Sequence, residues 1–104
     1  GLYFYLIAIL MLSLSLPAKA MEKSRELGQQ LINAVYNGEL EKVDSLIKSG
    51  ASMNEKDDDG CTPLMWAAML GNQSCCEILL QAGADVNEKD KFEMTALMWA
   101  SRYG

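Results

Sequence analysis

The chain contains no histidine. That removes imidazole bases, His-paired Ser or Cys nucleophiles and imidazole zinc ligation from this portion of the protein. The remaining candidates for chemistry are few. They are Cys61, Cys75 and Cys76, the acidic run Glu55-Lys56-Asp57-Asp58-Asp59-Gly60, and the triplet Asn72-Gln73-Ser74. Zinc takes four ligands at patterned spacing, and no patterned fourth accompanies the cysteines. A calcium loop needs a carboxylate six residues after its glycine, and Trp66 stands there, so the acidic run reads as a solvated turn. Asn72-Gln73-Ser74 is a glycosylation sequon by pattern, but it follows Gly71 in a tight turn. No glycine loop suited to phosphate is present. The expectation is therefore no catalytic residue, no metal, no cofactor, no small-molecule substrate and no enzyme in this chain.

The thiols do not form a disulfide scaffold, because adjacent Cys75 and Cys76 cannot both join one partner. Cys61 lies in a turn and is expected to be exposed. In an oxidising compartment it could react or pair between chains; the plainer reading is a free thiol without function. Cys76 stands one period after Val43, a core position, and is expected to be a buried small hydrophobe.

The elements that position these residues are set by a repeat of 33. Leu31, Leu64 and Leu97 keep that step, as do Ala34, Ala67 and Ala100, and Gly38, Gly71 and Gly104. So do Leu46 and Leu79, Gly50 and Gly83, Ala51 and Ala84, Asn54 and Asn87, Asp57 and Asp90, and Thr62 and Thr95. A fixed period of this size means stacked copies of one small unit. Within Asp57–Lys89, Asp57-Asp58-Asp59-Gly60 is turn chemistry. Thr62 is a helix N-cap, and Pro63 sits at the first helical position, where its missing N–H costs nothing. A short apolar helix follows and ends at Gly71. Ser74-Cys75-Cys76-Glu77 has capping-box spacing for a second helix through about Gln81, closed by Gly83. Small Ala67 and Ala68 let the two helices approach closely. Such a pair cannot bury its own apolar face, so the units must stack, with the Leu31/64/97 and Leu46/79 columns as core. Trp66 and Trp99 recur at the same period and are expected to stack in that core.

The runs Asp57-Asp58-Asp59-Gly60-Cys61-Thr62-Pro63-Leu64-Met65-Trp66-Ala67-Ala68 and Gly83-Ala84-Asp85-Val86-Asn87 resemble ankyrin repeats. The resemblance covers residues of about 24–104 and implies an all-α solenoid of helix–turn–helix units with hairpin-like turns. Residues 24–56 read as a divergent first repeat, with Gln29-Gln30-Leu31 in place of the Thr-Pro-Leu entry, as a capping repeat should be. Residues 57–89 form a whole repeat, and 90–104 a partial third. Met65 and Met98 stand where the family usually has histidine, so a flexible apolar filler replaces the imidazole that would tie neighbouring turns. In ankyrin arrays the turns and the adjacent first-helix surface form a concave groove that binds proteins. Carried onto this chain, the turn tips are Asp58, Asp59, Cys61, Lys91, Phe92 and Met94. The helix-end positions are Tyr36, Asn37, Met69, Leu70, Arg102 and Tyr103. They vary between copies and include residue types enriched in interface cores.

Residues 2–16 are apolar apart from Ser13 and Ser15. As a helix they would span about 22 Å, short against a hydrocarbon core of roughly 30 Å. Pro17 is expected to break the helix, and Ala18-Lys19-Ala20 supplies small residues for cleavage near Met21. Residues 1–20 thus read as a secretory signal peptide lacking its N-terminus. Two alternatives are a retained membrane anchor and a true start at Met21. Both chain ends read as truncated. Beyond residue 20 the net charge is −6, which argues against nucleic acid and anionic membranes. The sequence thus points to an exported ankyrin-repeat protein, periplasmic or secreted, that binds a protein partner, with membrane contact only if residues 2–16 are kept. The alternative is a regulatory or targeting arm of a larger enzyme whose catalytic part lies beyond Gly104.

Overall fold

The computed structural model describes residues 1–103; Gly104 and the side chains of residues 11–19 lie outside the described residues. Five helices follow one another: α1 (Leu2–Asn37), α2 (Leu40–Lys48), α3 (Pro63–Met69), α4 (Gln73–Gln81) and α5 (Ala96–Tyr103). No strand occurs among the described residues. The C-terminal part of α1 pairs with α2, α3 pairs with α4, and α3 lies between α1 and α5. The result is an all-α stack, extended to 65 × 29 × 20 Å by the long first helix.

Each local signal has a visible consequence. The Thr62 hydroxyl accepts a hydrogen bond from the Met65 N–H at 3.3 Å, with Pro63 starting α3. The second helix of the pair begins earlier than its capping-box spacing implies. Asn72 is the N-cap, its side-chain oxygen accepting from the Cys75 N–H at 3.1 Å, and Ser74 lies inside the first turn. The turn at Gly71 brings Asn72 into reach first, and asparagine caps at least as well as serine.

α1 has no entry signal of this kind at Gln29-Gln30-Leu31, and its backbone is helical back to Leu2. The expected break at Pro17 is therefore not an end of this helix. The side chains of Pro17, Ala18 and Lys19 lie outside the described residues. Leu31, Ile32, Ala34 and Val35 turn the C-terminal part of α1 into the first layer of the core. Gly28 lets α1 approach the loop beyond α2: a Cβ there would lie 2.8 Å from the Glu55 Cβ and 3.1 Å from the Ser52 carbonyl oxygen.

The core joins α1 to α5 through Leu31, Val35, Val43, Leu46, Leu64, Met65, Ala67, Ala68, Cys75, Leu79 and Ala96. Met65 is fully buried, which fits its role as filler. One column departs from expectation. Leu31 and Leu64 are buried, but Leu97 is 75% exposed, because among the described residues no helix packs on that side of α5. Leu97 joins Leu64, Ala68, Cys76, Leu80, Val86, Ala96 and Ala100 around an open apolar groove of about 250 Å³.

The repeat column supplies its own comparison. Leu64→Ala is expected to destabilise the stack by about 2–5 kcal/mol, as a cavity-forming core truncation does. Leu97→Ala should cost less than about 0.5 kcal/mol, in line with surface changes. Urea unfolding followed by far-UV circular dichroism distinguishes them, and equal losses would contradict the burial described.

Candidate functional site

The face carrying the turn tips is built around two carboxylates. Asp57 closes a tight turn: its N–H donates to the Cys61 carbonyl oxygen at 3.0 Å. Its Oδ1 accepts from the N–H groups of Asp59 and Cys61, at 3.0 and 2.9 Å. Its Oδ2 accepts from the Trp66 indole N–H at 2.7 Å. One period later the arrangement returns. Asp90 Oδ1 accepts from Phe92 and Met94, at 2.8 and 3.0 Å, and Oδ2 accepts from the Trp99 indole at 2.8 Å. Each carboxylate thus ties a turn to the first helix that follows it. The two tryptophans are half-buried and pack against the core, while this bond holds the indole edge at the turn.

The turns also hold each other. The Lys91 N–H donates to the Asp59 carbonyl oxygen at 3.1 Å, and the Lys91 ammonium pairs with the Asp59 carboxylate. Gly60, at φ 79°, packs so closely that a Cβ would lie 3.0 Å from the Lys91 nitrogen. The Lys56 ammonium reaches the Lys89 carbonyl oxygen at 2.8 Å and Glu88 at 2.9 Å. The turn-to-turn tie that a histidine would supply is thus made by backbone and lysine contacts.

Aromatic side chains line the helix ends. Tyr36 meets the Trp66 ring edge-on, with centroids 5.3 Å apart at 87°. Trp99 stacks on Tyr103 at 5.8 Å and 9°. Phe92, Met94, Trp99, Arg102 and Tyr103 surround a cleft of about 310 Å³, and the Lys91 ammonium lies 5.1 Å from the Phe92 ring centroid.

Of the sequence-derived site residues, Tyr36, Asn37, Asp58, Asp59, Leu70, Lys91, Phe92, Arg102 and Tyr103 are exposed, and Met69 and Met94 half-buried. Cys61 is the correction. It is only 5% exposed, because its turn folds inward under the following one. Burial first, then the charges of Asp57, Asp90 and Asp59 against that of Lys91, push its thiol up to about 11. Cys76 departs in the other direction. It is half-buried on the open groove, while Cys75 is fully buried and its thiol also raised to about 11, chiefly by burial. In the sequence, the Asp57/Asp90 and Trp66/Trp99 columns read as separate features, and the bond between them is missed. The available signal was their shared separation of nine residues in both copies.

Two tests follow. Native Cys61 should resist alkylation near pH 8, since only a small fraction is thiolate, and react readily once urea is added; rapid native labelling of a Cys75→Ala, Cys76→Ala variant would contradict the burial. Asp90 gives a pH signature. Burial raises its carboxyl pKa, but the Met94 N–H, the Trp99 indole, the Phe92 N–H and the Lys56 charge together bring it below the ordinary value. A depressed carboxyl stabilises fully above the unfolded pKa and loses that contribution as pH falls through the folded value. Urea midpoints should therefore fall with pH more steeply below the ordinary carboxylate range in the native chain than in Asp90→Asn.

No curated protein matches the chain. The family model described as ankyrin repeats (3 copies) matches residues 31–104, which takes in both Asp–Trp ties and the helices they anchor, and the chain belongs to the ankyrin-repeat family.

Proposed function

We infer that this chain is an exported binding module whose face of turn tips and first-helix ends recognises a protein partner. Ankyrin repeats are generally protein–protein interaction modules, and the binding residues of such a scaffold are those that vary over a constant frame. The observation that carries the reading is the exposure of Tyr36, Phe92 and Tyr103 beside two indoles locked by buried or half-buried carboxylates. Rigid aromatic groups lose little entropy on binding and dominate interface energetics. The chemistry is recognition alone, and the face is the concave one in the family resemblance. The apolar residues 2–16 with Ala18-Lys19-Ala20 support export, with cleavage near Ala20.

Two measurements test this. A photo-crosslinking amino acid at Phe92 or Tyr103, introduced in the native host, should give a discrete protein adduct, whereas the same group at Glu41 or Lys48 on α2 should not. Equal labelling from both sides would remove the assignment of the face. The intact mass of the mature protein should lack everything through Ala20; retention of residues 2–16 would replace the exported soluble form with a tethered one.

A further inference from the structure

The cleft between the last turn and α5 differs from the rest of the face in charge. Phe92, Met94, Trp99 and Tyr103 give it apolar and aromatic walls, and Arg102 is the single charged residue that lines it. The other charged residues of the Asp90–Met94 turn have partners of their own. Asp90 is buried, with both oxygens accepting hydrogen bonds. Lys91 pairs with Asp59 across the turns, and Glu93 lies 3.7 Å from Lys89. Arg102 is exposed and makes no ion pair among the described residues. One and two periods earlier its place is held by Met69 and Tyr36, so the cation belongs to this cleft alone.

We propose that the cleft binds a segment of the partner protein that places a carboxylate beside an aliphatic or aromatic side chain. This rests on the reading of the face as a protein-binding surface and adds the partner's chemistry. The apolar side chain seats against Phe92, Met94 and Trp99, and the carboxylate accepts paired hydrogen bonds from the Arg102 guanidinium, whose planar fork suits that geometry. The acidic balance of the whole chain does not oppose this, because exposed charges beyond roughly 8–10 Å are screened at physiological salt.

The test uses a phage-displayed random heptapeptide library panned on the full chain in dodecyl-maltoside micelles. In parallel it is panned on Arg102→Glu, Arg102→Gln and Phe92→Ala, each checked by circular dichroism for native helix content. The native chain should enrich peptides with Asp or Glu next to a large apolar residue, and Arg102→Glu should enrich Lys or Arg at that place instead. Synthetic copies of the native-selected peptides should bind about two- to fivefold more weakly to Arg102→Gln and about tenfold more weakly to Arg102→Glu, as one solvent-exposed pair implies. Phe92→Ala should weaken them as well. Peptides that depend on Phe92 but ignore residue 102 would overturn the carboxylate and leave the binding face standing. Peptides indifferent to both residues, or no enrichment at all, would overturn both.

Discussion

The tie between a turn carboxylate and the indole nine residues later is the interaction on which the rest of this structure depends. A tight turn made of Asp, Asp and Gly has no apolar surface of its own to bury. Asp57 and Asp90 give it one: each carboxylate satisfies two N–H groups of its turn and holds a tryptophan whose ring is half-buried beside the core. A charged acceptor makes these bonds stronger than neutral ones. Turn conformation and helix position become one arrangement, and that arrangement places Phe92, Met94, Tyr103 and Arg102 around a common cleft. The first copy does without it. Ser24 and Asn33 stand at the corresponding places, and that layer is joined by backbone and serine contacts, including the Ser24 hydroxyl on the Gly50 carbonyl oxygen.

Much of the fold could be read from the chain because the repeat is local and additive. Thr62, Pro63, Gly71 and Gly83 act within a few residues of themselves, so their roles follow from type and position. What the period could not convey is which side of each layer is covered. Leu97 keeps the column of Leu31 and Leu64 yet faces solvent, and Cys76 keeps the slot of Val43 yet lies on the open groove. Burial in a stack is a property of the neighbour, and a residue does not carry its neighbour in its own spacing. Cys61 failed for a related reason. A turn is exposed by default, and only the following turn folding over it, through the Lys91–Asp59 backbone bond, removes it from water.

The candidate face was legible as a set of exposed positions rather than as a geometry. Variation between copies identified the exposed face, and most of the named residues lie on it. It did not show that the two tryptophans are held by their edges, nor that Tyr36 of one layer meets Trp66 of the next. The Tyr36–Trp66 contact crosses from one repeat to its neighbour. It requires the superhelical placement of successive layers, which no single repeat encodes.

The placement of the cleft on α5 has a consequence for energetics. In a linear stack, each layer is held by its contacts with neighbouring layers, and those contacts set how readily it opens. Among the described residues α5 packs chiefly on α3, so that contact governs how readily the helix opens. Trp99, Arg102 and Tyr103 ride on that helix. Whatever occupies the cleft must hold α5 closed in order to stay bound, so part of its intrinsic affinity goes into ordering the helix. Binding strength at this cleft and the hold of α3 on α5 are therefore coupled through one equilibrium. A change that firms the packing of α5 on α3 would tighten binding without touching the ligand.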